Sequence, residues 1–171
     1  KGKTILVADT NVQDFPSSER LVNVSKSCVR VARLFGFDPK VAFLSHSTFG
    51  KPISKNTKHV RDAIQALKKE KVDFDFDGEM QPDVALNPIY QEIYPFSKIV
   101  GNANLLIMPA LHSAAISTKL MKVFGGGKLI GPLLIGLGLP IEVAPLRART
   151  PEILNLASIA SYSSDVIDYS N

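Results

Sequence analysis

The sequence predicts an α/β fold, a parallel or mixed sheet with helices on both faces. Three observations carry this reading. Short apolar, β-prone runs alternate with stretches of helical periodicity along the whole chain, the order that yields strands joined by crossover helices. Of 171 residues, 45% are apolar, enough for a real core in one domain or two small lobes. The apolar run 41–44 passes directly into Ser45-His46-Ser47-Thr48-Phe49-Gly50. Open α/β sheets bind ligands in polar crevices at the carboxyl ends of their strands. Hydroxyls and free backbone N–H groups there suit an anion such as a phosphate, although the same loop also reads as an ordinary strand-to-helix turn.

The elements follow in order. Residues 4–8 form a buried strand, closed by the polar cluster Asp9-Thr10-Asn11. Pro16-Ser17-Ser18-Glu19 opens a helix, with Pro suited to a helix start and Glu19 to the positive end of the dipole. Leu21, Val24, Cys28, Val31 and Phe35 give it one core face, and Gly36 ends it. Residues 41–44 are the second strand. After a basic segment at 51–55, Asn56 is the expected cap of a helix whose stripe is Val60, Ile64 and Leu67. Residues 72–76 alternate as a half-exposed strand and run into Asp77-Gly78-Glu79. A short helix at 88–94 and a buried strand at 104–108 come next. A helix at 112–124 stops at Gly125-Gly126-Gly127. Residues 129–135 and 141–143 are strand candidates, and 152–161 is the last helix, announced by Thr150-Pro151-Glu152.

Composition narrows the function classes. A net charge of +4, from 20 basic and 16 acidic residues, suits an anionic ligand but is too small to argue for nucleic acid. The longest apolar stretch, 129–143, is broken by Gly131, Pro132, Gly136, Gly138 and Pro140 and does not read as a membrane span. Cys28 is the only cysteine, so no internal disulfide exists, and the default setting is cytoplasmic. Cys28 reads as a small core hydrophobe. His46, His59 and His112 lack the spacing of a metal-binding helix, so no metal is expected. Gly125-Gly126-Gly127 follows a helix, without the strand that a dinucleotide fingerprint needs. The carboxylates around Asp77-Gly78-Glu79, at an expected strand end, fit acid/base chemistry or a capped turn. Arg147 and Arg149 precede a helix N-terminus, and read equally as anion ligands or as surface arginines. The chain starts at Lys1, almost at once in a strand, as an excised fragment or processed product would.

Several segments, in order and over nearly the whole chain, resemble the phosphate acetyl/butyryl transferase family. They are Ala8-Asp9-Thr10-Asn11-Val12-Gln13, Leu44-Ser45-His46-Ser47-Thr48-Phe49-Gly50, Asp77-Gly78-Glu79-Met80, and Ala103-Asn104-Leu105-Leu106-Ile107-Met108-Pro109. The likeness continues through Gly125-Gly126-Gly127, Gly131-Pro132 and Ile153-Leu154-Asn155. The segment at 9–13, with His46 and Phe49, looks more like the branch fused behind the catalytic part of bacterial NADP-dependent malic enzymes.

The resemblance implies the second lobe of the phosphotransacetylase (isocitrate dehydrogenase-like) fold at 1–144. Residues 145–171 would be a closing segment and helix that pack on a first lobe. It implies a regulatory and oligomerisation domain that senses acetyl-coenzyme A, forms a homodimer or higher oligomer, and has no catalysis of its own. NADP and a divalent metal would belong to a catalytic domain in cis. Asp9, Asn11, Ser45, Ser47, Thr48, Gly50, Arg147 and Arg149 would bind the acyl-coenzyme A or phosphate. The alternative is a phosphate acetyltransferase with Glu152 as base. Active transferases carry a Ser-Arg pair ahead of the last helix. Here that pair falls on Pro145 and Leu146, or with one gap on Leu146 and Arg147, so the serine is missing either way. A third reading is an assembly module, with the helix at 112–124 and Leu133, Leu134, Ile135, Leu137 and Leu139 on a dimer surface.

Overall fold

Four short strands lie side by side in the order β1-β4-β2-β3 in a computed structural model that describes residues 3–9, 12–137 and 139–166. They are β1 (Leu6–Ala8), β2 (Lys40–Leu44), β3 (Asp75–Met80) and β4 (Leu105–Ile107). Every pairing is parallel, with Val41 opposite Leu105 and Leu6 opposite Leu105 on the other side of β4. Parallel neighbours need crossovers, and helices α1 (Ser18–Leu34) and α2 (Lys58–Glu70) supply them. The expected α/β architecture is therefore what forms.

The period of two along each strand divides the core into two layers. Val41, Phe43, Leu105 and Ile107 face one way and meet Leu21, Cys28 and Val29 of α1 and Val60, Ile64 and Leu67 of α2. Ala42, Leu44 and Leu106 face the other way and meet Val84 and Ala85 of α3 (Pro82–Leu86), Ile99, Val100, and Ala114 at the start of α4 (Leu111–Phe124). Helix α1 begins as the sequence expects. Ser17 Oγ accepts the Arg20 N–H at 3.1 Å, Glu19 sits in the first turn, and Gly36 follows the last turn at φ +78°.

Three expectations are corrected. Thr57, not Asn56, precedes α2; Asn56 instead donates its N–H to Ser54 Oγ inside a 3-10 turn, Lys55–Thr57. The third strand is Asp75–Met80 rather than 72–76, because pairing with β2 begins at Lys40 opposite Asp75. Arg33 holds the preceding Asp73 off the sheet, its Nη1 2.9 Å from Asp73 Oδ2 and its Nη2 3.0 Å from the Asp73 carbonyl oxygen. Asp77-Gly78-Glu79 thus lies within a strand and not in the turn after it. Finally, the strand candidates at 129–135 and 141–143 form no strand among the described residues. Gly131, Pro132, Gly136 and Pro140 interrupt both the ladder donors and the extended path.

The chain divides into two compact units, Lys1–Ile116 and Ser117–Asn171. The second unit holds the rest of α4, an irregular segment, and α5 (Thr150–Val166). Within the irregular segment Glu142 Oε2 accepts the Leu134 N–H at 3.2 Å, and partial burial pushes the Glu142 carboxyl up from its ordinary value.

Candidate ligand-binding site

The most organised polar cluster of the first unit stands at the carboxyl end of β2. The Ser45 N–H donates to the Met80 carbonyl oxygen at 2.9 Å, so β3 guides the chain one residue past β2. Ser45 Oγ accepts the Ser47 N–H at 3.2 Å, and the two hydroxyls lie 3.2 Å apart. Thr48 and Lys51 exchange both backbone hydrogen bonds at 3.0 Å and close a tight turn over Phe49 and Gly50. Both turn residues have positive φ, 48° and 81°, as a type I′ turn requires. Gly50 meets that demand freely. A bulky residue at Phe49 is a conformational outlier.

Beneath this turn lies Glu79, whose side chain is 0% exposed. A bulge puts it there. Phe43 pairs with Gly78 and Leu44 with Met80, which leaves Glu79 as the extra residue of β3. Gly78 is required at the bulge: its φ is +142°, and a Cβ would stand 2.6 Å from the Phe43 carbonyl oxygen. The Glu79 carboxylate accepts the Ser47 hydroxyl at 2.5 Å and lies 3.2 Å through each oxygen from Arg61 Nη1. Arg61 also donates to Thr57 Oγ1 and, from Nη2, to the Ser54 carbonyl oxygen at 2.9 Å. Thr57 and Arg61 are four residues apart, hence on one face of the helix start. A buried carboxylate is expensive unless paired and hydrogen-bonded, and this one is both.

The sequence-expected residues fall as follows. Ser45, Ser47 and Thr48 are buried and brought together with Gly50. Most of their donors are not free, however. The N–H groups of Ser45, Ser47, Thr48, Phe49 and Lys51 and the Ser47 hydroxyl all have partners in the loop or on β3. A loop folded onto a sheet must satisfy its own buried polar groups first. Asp9 follows β1, half-buried, its Oδ2 without a hydrogen-bond partner among the described residues. With β4 between β1 and β2, Asp9 and Ser45 share the carboxyl edge of the sheet about two strand spacings, ~10 Å, apart. Asn11 lies outside the described residues. Burial, and then the charge of Asp9, pushes the Cys28 thiol up to about 12, which leaves it an inert core residue.

Arg147, Arg149 and Glu152 belong to the second unit. Arg147 is exposed, in a turn where the Ala148 N–H donates to the Pro145 carbonyl oxygen at 2.9 Å. Glu152 Oε2 accepts the Arg149 N–H at 2.8 Å, half of a capping box at the start of α5. That bond, together with the Arg149 and Lys122 charges, lowers the Glu152 carboxyl below its ordinary range, the wrong direction for a general base.

Sequence reasoning missed Arg61 and Thr57, and the central place of Glu79. An open pocket of about 520 Å³ makes the omission matter: it is lined by Phe49, Gly50, Lys51, Pro52, Ile53 and Arg61. The signal available was Arg61 beside the apolar stripe residue Val60, four residues after a threonine.

The model of the family described as phosphate acetyl/butaryl transferase matches residues 1–161. The NADP-dependent malic enzyme of Rhizobium meliloti is 46% identical over 164 residues, covering 96% of this chain and 22% of that protein. The NADP-dependent malic enzyme of Escherichia coli is 35% identical over 156 residues, 90% of this chain and 21% of the other. A solved phosphotransacetylase from Streptococcus pyogenes superposes with a TM-score of 0.90 at 30% identity, over 96% of this chain and 50% of that one. The chain belongs to the phosphate acetyl/butaryl transferase family. Within it, the chain is a phosphotransacetylase-like domain related to a region of the malic enzymes, and it spans about a fifth of their length.

Proposed function

We propose that this chain is the regulatory and assembly domain of a bacterial NADP-dependent malic enzyme, sensing acetyl-coenzyme A and performing no catalysis of its own. The observation that carries the reading is the 46% identity to such an enzyme across nearly the whole chain. In this reading NADP, a divalent metal and malate chemistry belong to a catalytic domain in cis, and residues 145–171 close onto another lobe. Asp9 and the loop carrying Ser45, Ser47, Thr48 and Gly50 face the ligand at the carboxyl edge of the sheet. Arg147 and Arg149 offer positive charge. A ligand regulates only by binding one state of its protein better than another, so the parent enzyme changes shape or mobility on binding. Assembly into a dimer or higher oligomer is supported by the apolar residues of the second unit left in water, among them Val123, Phe124 and Leu139.

The capped Glu152 and the missing serine support the silent form. The likeness to a solved phosphotransacetylase favours a second reading, an acyltransferase with Glu152 as base. Calorimetric titration of acetyl-coenzyme A, with coenzyme A and phosphate as comparisons, tests the first; saturable binding is expected. An acetyl-phosphate assay on the same protein is expected to show no turnover. Robust turnover abolished by Glu152→Gln would reverse the choice.

A further inference from the structure

Every residue from Ser45 to Phe49 is tied to Glu79, Met80 or Gln81, at and just past the end of β3. The Ser45 N–H donates to the Met80 carbonyl oxygen at 2.9 Å, and the Phe49 N–H to that of Glu79 at 2.7 Å. The His46 carbonyl oxygen accepts Gln81 Nε2 at 2.7 Å, and Thr48 Oγ1 accepts the Gln81 N–H at 3.2 Å. The Ser47 hydroxyl donates to the Glu79 carboxylate. A carboxylate only accepts, so the Ser47 proton is committed downward, and Ser47 Oγ is left to accept the Ser45 hydroxyl 3.2 Å away. Glu79 thus orients both serine hydroxyls, although only Ser47 touches it.

Connecting loops are ordinarily mobile, and this one is tied down along its whole length. Three features go beyond what stability asks. An apolar side chain beneath the loop would serve stability as well as a buried ion pair. Gln81 stands at the cap position of α3, yet its exposed side chain makes no cap bond and reaches instead to a residue thirty-five positions earlier. Phe49 is kept at φ +48°, a region that bulky residues avoid. Strain retained by its surroundings marks a conformation held for use.

We propose that Glu79 and Gln81 are positioning residues for ligand recognition: they hold residues 45–49 in the one arrangement that meets the ligand, and touch no ligand themselves. Glu79 acts from below, through Ser47. Gln81 acts from the rim, through His46 and Thr48. That the ligand is acetyl-coenzyme A rests on the reading above; the positioning rests on the ties alone. Affinity falls with the population of the binding-competent arrangement, so loosening the loop weakens binding without removing a contact.

The test measures acetyl-coenzyme A affinity by calorimetry and loop amide exchange by NMR on the 171-residue chain. Gln81→Met keeps the length of an exposed side chain and removes its donor. Expected are an unchanged unfolding midpoint in urea, faster exchange of the Ser47 and Phe49 amides, and binding weakened about fivefold. In the ligand-bound variant, exchange should return to the parent level. Glu79→Gln keeps an acceptor for Ser47 and should stay within about threefold of the parent affinity, whereas Glu79→Leu combined with Arg61→Met, which leaves no buried charge, should lose at least about tenfold. Parent-like affinity in both Gln81→Met and the double variant would overturn the proposal. So would weaker binding of Gln81→Met with unchanged loop exchange, which would make Gln81 a ligand contact. Inorganic phosphate is titrated in parallel. If acetyl-coenzyme A binds and the variants change nothing, the sensing reading stands and the positioning falls. If the parent binds phosphate but not acetyl-coenzyme A, the sensing reading falls and the positioning is read from the phosphate affinities. If it binds neither, both fall.

Discussion

The Glu79 carboxylate reaches Arg61 Nη1 at 3.2 Å through both of its oxygens, from a side chain wholly removed from water. Arg61 is only partly buried, with 32% of its side chain exposed, so water screens one end of the pair and not the other. The asymmetry decides which half is costly to lose. Arg61→Ala leaves a sealed carboxylate with two hydroxyls for company, and should destabilise the fold by about 3 kcal/mol. Arg61→Met with Glu79→Leu removes both charges and should recover most of that loss. Urea unfolding of Arg61→Met, Glu79→Leu and the double variant that combines them gives the coupling; an additive cycle would mean the pair is electrostatically idle.

Gly78→Ala should be among the most damaging single changes. The added Cβ meets the Phe43 backbone oxygen at 2.6 Å, and neither strand can retreat without breaking the β2–β3 register. A loss above roughly 2 kcal/mol is expected, together with weakened protection of the Ser45 amide in hydrogen exchange.

Cys28 should resist alkylation in the native protein. A thiol raised from 9.0 to about 12 carries roughly a thousandfold less thiolate at neutral pH, and it is buried as well. Iodoacetamide labelling should therefore follow the unfolding curve in urea. Rapid labelling without denaturant would refute the buried placement.

The Arg33–Asp73 contact gives a pH dependence of known sign. The hydrogen bond from Arg33 holds the Asp73 carboxyl below its ordinary 3.8. A carboxyl depressed on folding adds stability that is fully present above its unfolded value and is lost as pH falls through the folded one. A carboxyl NMR titration should place the Asp73 midpoint below 3.8, and Arg33→Ala should return it toward that value. The effect of this exposed pair on unfolding is confined to acid, below about pH 4.

The sheet was legible because its signals are redundant. Val41, Ala42, Phe43 and Leu44 are apolar on both faces, as a strand between two neighbours must be, and Ser17 and Gly36 bracket α1 with standard cap chemistry. The second unit was not, because an apolar run such as Leu133-Leu134-Ile135 reads the same whether it pairs in a sheet or lies on a surface. The site was half legible. The hydroxyls of the loop stood out by composition, but whether a hydroxyl is free or already committed depends on what the fold places beneath it. Glu79 arrives there only through a bulge thirty-two residues further along, a displacement with no local signature. Arg61 looked like any solvated helix residue until Glu79 was in place.

The bulge has a consequence beyond the pocket. Strand β3 is the outermost strand of the sheet among the described residues, so Asp75-Phe76-Asp77 forms its outer rim, and the Gly78 N–H that follows is taken by Asp77 Oδ1 at 2.9 Å. A straight apolar rim would recruit any passing extended chain, and with it the risk of fibrous association. Here a kink interrupts the rim at Glu79, and two carboxylates, Asp75 and Asp77, flank the approach. The irregularity that buries one acid thus also makes this border of the sheet a poor template for further growth.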